Sequence, residues 1–221
     1  MYLIYLNYAF IIGILYVMYL IKKRKQPVNK NYILILLFIT LIVNSMTIVG
    51  FINKKNQLTE STYMIYSSFC DSLSKTVYSN EVETIDDVKK LLEVIEDINK
   101  NLSMLEYNLR FSEVELNYED GQEFHLIIKN LNDYLSKFIA QHNRLYSKRI
   151  YIDENIQRKY SKLKTELNIL NDYFNLLHYQ KIEKAGSIKY CILSKEENFD
   201  WNIEVQKRVE NIKKIIDGSE K

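Results

Sequence analysis

Residues 32–52 read YILILLFITLIVNSMTIVGFI, twenty-one positions without one charged side chain. At ~1.5 Å per residue, a helix of this length covers roughly 30 Å, the thickness of a bilayer's hydrocarbon core. Each Leu, Ile, Val or Phe contributes roughly −0.3 to −0.6 kcal/mol to insertion, and together they outweigh Asn44 and the few hydroxyl side chains. The reading of this stretch as a membrane-crossing helix decides how the remainder of the chain is parsed.

Working outward toward the N-terminus, residues 2–21 repeat the pattern: an apolar run with no charge, again long enough to cross. The alternative is a cleaved signal peptide, which carries basic residues before its apolar run. Here the order is reversed, with Lys22, Lys23, Arg24 and Lys25 following the run and no Lys or Arg preceding it. An uncleaved anchor fits better. The connecting loop 22–31 holds five positive charges and no negative one, whereas Lys54 and Lys55 beyond the second run are soon met by Glu60. The excess of positive charge on cytoplasmic loops predicts that this loop faces the cytoplasm and that both termini lie outside it.

Tyr2, Tyr5 and Tyr8 at one end of the first run, and Tyr19 and Tyr32 near the loop, suit the bilayer interface, where a ring can be buried while its hydroxyl stays wet. Each run also carries one amide, Asn7 and Asn44. In an antiparallel hairpin these fall at nearly the same depth. A hydrogen bond between them would fix the register, at roughly 0.6–2 kcal/mol.

Beyond residue 52 the composition changes to Lys, Glu, Asp and Asn with interspersed apolar residues. The whole chain of 221 residues has 30 basic and 28 acidic side chains, a net charge of +2. Past residue 55 the two signs interleave, which excludes the concentrated basic face of a nucleic-acid binder. One Pro, five Gly and three Ala leave few helix breakers. Abundant Ile, Lys, Asn and Tyr with little Ala is what an AT-rich bacterial or phage genome encodes.

The apolar residues recur at spacings of three and four. Tyr63, Tyr66, Cys70, Leu73 and Val77 form a first stripe, which can continue the second apolar run as one helix because residues 53–59 contain neither Pro nor Gly. A break at Ser79-Asn80 precedes Thr84-Ile85-Asp86-Asp87, a capping box. Val88, Leu91, Ile95, Ile98, Leu102, Leu105 and Leu109 follow, then a polar interval ending at Asp120-Gly121, then Ile128, Leu131, Leu135, Phe138, His142 and Leu145. Asp153 is placed to cap a further helix with the stripe Ile156, Tyr160, Leu163, Leu167, Leu170, Phe174 and Leu177, expected to end at Gly186. Ser187 to Leu193 is β-prone without an obvious partner, so it reads equally as a strand or an extended loop. Trp201, Val205, Val209, Ile212 and Ile216 make a last stripe before Gly218.

The expected fold is therefore all-α: a two-helix transmembrane hairpin over 1–52, then an elongated antiparallel bundle of four to five helices over 53–221. The stripes are narrow, about two residues in seven, which suits a slender bundle or helices that pair between chains.

Chemical motifs are missing. No P-loop, glycine-rich dinucleotide loop, G-x-S-x-G or H-E-x-x-H is present, and none of His125, His142 and His178 has a Glu three residues before it. No catalytic residue, metal ligand, cofactor or small-molecule ligand is expected. His142, on a stripe, reads as a core imidazole bonded to a neighbour. The acidic run Glu113, Glu115, Glu119, Asp120 and Glu123 lacks calcium-loop spacing and reads as a solvated turn. Cys70 and Cys191 can be two reduced thiols, or one bridge if the domain lies outside the cytoplasm.

The function these features suggest is non-enzymatic: a bundle anchored in the bilayer of a bacterial cell envelope that binds a protein partner or a second copy of itself. Two other classes stay open, a sensory input module that works with a separate signalling protein, and a membrane effector or immunity protein of a phage or toxin conflict system. The helix containing Trp201, Val205, Val209 and Ile212 is the expected partner surface, since Trp is enriched at binding hot spots.

Overall fold

The computed structural model describes residues 12–16, 18–19, 22–23, 30–79, 81–111, 114–116, 121–147, 153–184, 186–194 and 200–218. The chain divides into two compact units, Met1–Lys55 and Asn56–Lys221. In order the elements are α1 (Lys30–Tyr78), α2 (Ile85–Leu109), β1 (Val114–Leu116), α3 (Gly121–Ser147), α4 (Glu154–Asn175), β2 (Leu177–Lys184), β3 (Ser187–Ser194) and α5 (Trp201–Asp217).

In the first unit, residues 12–16, 18–19 and 22–23 are helical, and α1 runs unbroken through the second apolar run. Among the described residues one helix is long and apolar enough to cross a membrane, Leu37–Tyr78, by virtue of its apolar first part. There Leu37, Phe38, Leu41, Met46, Ile48, Val49 and Phe51 are each between 56 and 68 % exposed. A continuous apolar surface of this kind is what a lipid-facing helix presents and a water-facing one avoids. Its hydroxyls are satisfied locally, Ser45 Oγ donating to Leu41 O and Thr47 Oγ1 to Val43 O, both at 2.8 Å.

The second unit is a helical bundle. Side-chain bonds give its directions. Lys75 of α1 meets Asp97 of α2 and Ser72 meets Asn101, so rising numbers on one helix match falling numbers on the other and the pair is antiparallel. Ser103 with Asn132 and Asn99 with Ser136 show the same for α2 and α3. Arg208 with Glu166 and Trp201 with Tyr173 show it for α4 and α5. In contrast, Phe124 with Trp201, Tyr134 with Lys213 and Lys137 with Asp217 rise together, so α3 and α5 run parallel.

The stripes expected on α2, α4 and α5 are buried, including Val88, Leu91, Ile95, Ile98, Leu102 and Leu105 on α2 and Leu163, Leu167 and Leu170 on α4, except that Leu109 and Ile156 are half-buried. On α3, Phe124 and Ile127 join the expected stripe. The caps form as anticipated: Thr84 and Asp87 bond each other's backbone amides, Asp153 Oδ1 accepts from Ile156 N at 2.8 Å, and Gly218 closes α5 in the left-handed region at φ 70°. The first stripe differs. α1 buries Thr59, Thr62, Tyr66, Phe69, Ser72, Leu73 and Thr76, while Val77 is 46 % exposed. Buried hydroxyls suit this seam because Thr62 and Thr76 return their hydrogen bonds to Leu58 O and Leu73 O of their own helix.

The all-α expectation is corrected by a small sheet of order β1-β3-β2. α4 stops at Asn175, and Gly186 terminates no helix but lies in the turn of a β-hairpin, at φ 79°. β2 and β3 pair antiparallel from Leu177 opposite Ser194 to Lys184 opposite Ser187. β1, inside the polar interval, pairs parallel with β3, placing Glu115 opposite Cys191. Eight consecutive cross-strand partners satisfy backbone groups that the helix would otherwise have satisfied, and this decides the conformation of residues 177–184.

Candidate functional site

Trp201, Val205, Val209 and Ile212, expected as a partner surface, are core residues with exposures of 2, 0, 3 and 0 %. The Trp201 ring meets Phe174 edge to face at 5.2 Å and lies 5.9 Å from Phe124, and its Nε1–H donates to Tyr173 O at 2.9 Å. Phe69, Phe174, Tyr66 and Phe124 complete an aromatic cluster joining α1, α3, α4 and α5. An indole with its ring packed and its N–H bonded is spent on the fold. The reason is geometric: α5 lies between α3 and α4, so its apolar stripe is covered inside the chain.

Of the topology residues, Lys22 and Lys23 lie in a described helical segment and are exposed, while Arg24 and Lys25 fall outside the described residues. Asn44 is half-buried in α1; Asn7 lies outside the described residues, so the amide pair has no described geometry. Of the acidic run, Glu115 is placed by its backbone in β1. Among the described residues no group of three or more His, Cys, Asp or Glu side chains could hold a metal ion. Both thiols are free, Cys191 buried and Cys70 half-buried. Burial pushes the Cys70 thiol up to about 12, which makes it a poor nucleophile at neutral pH.

Two surface features remain. The first is an apolar patch at the C-terminal end of α2: Met104 and Tyr107 on the helix and Phe111 in the turn just past it, between 47 and 66 % exposed, with the two rings 5.7 Å apart. Met104 and Tyr107, three residues apart, share the face of α2 opposite its buried stripe.

The second is a cleft of about 330 Å³ between the first turns of α4 and the last turn of α5, lined by Asn155, Arg158, Lys159, Lys162, Lys214, Ile215 and Gly218. Four of these side chains are cationic and none is acidic. Arg158 and Lys162 are exposed and one helical turn apart, and Lys214 approaches from α5. Lys159 is anchored deeper, donating to Gln141 Oε1 at 3.2 Å and to Ile216 O at 2.9 Å, with its ammonium 5.8 Å from the Phe138 ring centroid. Loss of hydration there holds its pKa below the usual lysine value.

Behind Lys159 lies His142, hydrogen-bonded through Nδ1 to the Tyr160 hydroxyl in the core. Burial lowers the His142 pKa and raises that of Tyr160, so both neutral forms are favoured. This is the bonded core imidazole expected at position 142.

A second cleft, lined by Lys75, Tyr78, Ser79, Asp87, Lys90 and Val94, contains a carboxylate already committed to capping α2. The basic cleft escaped sequence reading because Lys214 is more than fifty positions from Arg158. The one local signal was the set Arg158, Lys159 and Lys162 within five residues. No family model, no curated protein and no solved structure matches this chain.

Proposed function

We propose that the chain is a non-enzymatic, membrane-anchored helical bundle that binds a protein partner, or a second copy of itself, at a bacterial cell envelope. In this reading both apolar runs cross the bilayer, the loop carrying Lys22, Lys23, Arg24 and Lys25 stays cytoplasmic, and the bundle and both termini lie outside. The observation that carries the anchor is the exposed aliphatic surface of α1 between Leu37 and Phe51.

With the Trp201 helix spent on the core, the partner-binding role moves to Met104, Tyr107 and Phe111. Aromatic residues and Met are enriched in interface cores, where Lys and Glu are depleted. A photo-crosslinking amino acid at Tyr107, activated in intact membranes, is expected to yield a discrete adduct that Phe111→Glu abolishes. An adduct of twice the chain's mass identifies self-association, and another mass identifies a separate partner. No adduct, with the protein shown to be in the membrane, overturns the reading.

Topology is tested by an impermeant maleimide on Lys207→Cys, an exposed site on α5, in intact cells. Labelling is expected without lysis. Protection until lysis would put the bundle in the cytoplasm.

A further inference from the structure

We infer that the cleft between α4 and α5 is a binding site for a compact polyanion, a phosphate group or chain of phosphates carrying two or more negative charges. The inference is independent of the partner-binding reading, because it uses a different face of the bundle.

Three observations converge. The first is charge: Arg158, Lys159, Lys162 and Lys214 line one concave space that no carboxylate lines, in a chain whose net charge is only +2. Bringing four like charges together is unfavourable unless a counter-charge relieves it, by ~1 kcal/mol per pair at 4 Å even in bulk water. Of the nearby acids, Asp217 binds Lys137 at 2.6 Å and also attracts Lys159, and Asp153 caps α4 through Ile156 N; neither lines the cleft itself.

The second is chemistry. Arg158 supplies a planar fork suited to two oxygens of one phosphate, while the three ammonium groups act as adaptable point charges. Asn155 adds a neutral amide at the rim. Both hydrogen bonds of the Lys159 ammonium go to uncharged oxygens, of Gln141 and Ile216, so its charge is positioned by the fold without being neutralised by those bonds.

The third is size and access. A space of about 330 Å³ accommodates a di- or triphosphate and is far too small for a folded partner. It also lies at one end of the bundle. Gln157 and Lys164 of α4 bond Glu83 O and Ser79 O, just past the end of α1, whereas the β2–β3 turn is fastened to Asn56 at the other end of the bundle's part of α1. A small anion diffusing in water can reach such a tip without crossing the sheet.

The test is isothermal titration of the full chain in detergent with sodium tripolyphosphate, against sodium chloride at matched ionic strength. Saturable binding is expected, weakened at least tenfold by Lys214→Glu and by Arg158→Glu. Lys100→Glu, an exposed charge change on α2, is expected to leave the affinity within twofold. Circular dichroism checks the fold of each variant; where a Glu variant is unfolded, Arg158→Gln and Lys214→Gln take its place and are expected to weaken binding several-fold. Absence of saturable binding at millimolar tripolyphosphate overturns the site. So does an equal loss with Lys100→Glu, which would reduce the effect to net charge.

Discussion

Tyr63 of α1 and Tyr190 of β3 stack face to face, their ring centroids 4.7 Å apart and their planes 8° from parallel. Two turns earlier on the same helix, Asn56 holds the hairpin turn with both ends of its amide. Its Nδ2 donates to Gly186 O at 2.7 Å, and its Oδ1 accepts from Ile188 N at 2.8 Å. This amide and this aromatic pair both fasten the hairpin to α1, and the exposed Lys181–Glu60 contact at 3.7 Å adds little.

Asn56→Ala is expected to loosen the hairpin selectively. Two neutral hydrogen bonds at roughly 0.5–1.5 kcal/mol each give a local loss of about 1–3 kcal/mol. Hydrogen exchange resolved by peptide checks it: amides 186–190 should exchange faster while α2 and α4 are unchanged. Unaltered exchange at Ile188 would show that the Asn56 amide does not hold the hairpin.

Trp201→Ala is expected to destabilise the bundle by about 3–5 kcal/mol, the range for removing a large buried aromatic side chain. The ring fills the junction of α3, α4 and α5, and its loss also removes the indole donor to Tyr173 O. Chemical denaturation of the membrane-free segment 56–221, if it folds alone, or of the full chain in detergent, measures it. A loss under 1 kcal/mol would return Trp201 to consideration as a surface group. Deleting residues 200–221 is expected to unfold the bundle, because α5 supplies one wall of its core.

Stability is expected to fall as pH drops below the ordinary imidazole range, near 6.5. Burial holds the His142 pKa below that value in the folded chain, with Glu96 pulling weakly the other way. Between the unfolded and folded pKa values the unfolded chain takes up a proton that the folded chain refuses, so protonation favours unfolding. Denaturation midpoints at about pH 7.5 and about pH 5 compare wild type with His142→Gln, whose amide keeps a polar partner for Tyr160. The variant should lose less stability between the two pH values; an equal loss would assign the acid sensitivity to carboxylates.

Several helix ends were legible because the sequence states them locally. Thr84 with Asp87, Asp153 and Gly218 are local signals, read within four residues and realised as caps. The buried faces of α2, α4 and α5 likewise follow from a period near 3.6, which one chain segment displays without its neighbours. Residues 177–184 could not be read this way. LHYQKIEK continues the α4 stripe through Leu177 and holds good helix formers, and it becomes a strand only because Ser187–Ser194 pairs along its length. β1 is further still from legibility, since its partner β3 is more than seventy positions away.

What the sequence by itself determined is thus local: the apolar runs, the stripes of α2, α4 and α5 and the caps at Thr84, Asp153 and Gly218, whose physics acts over one or two turns. Only the tertiary structure decided which stripe would be covered and which charges would meet. It placed α5 between α3 and α4, turning Trp201 inward, and set Lys214 beside Arg158 to make one basic cleft. Burial and electrostatic proximity depend on distance through space, and no spacing along the chain encodes the contact of side chains more than fifty positions apart.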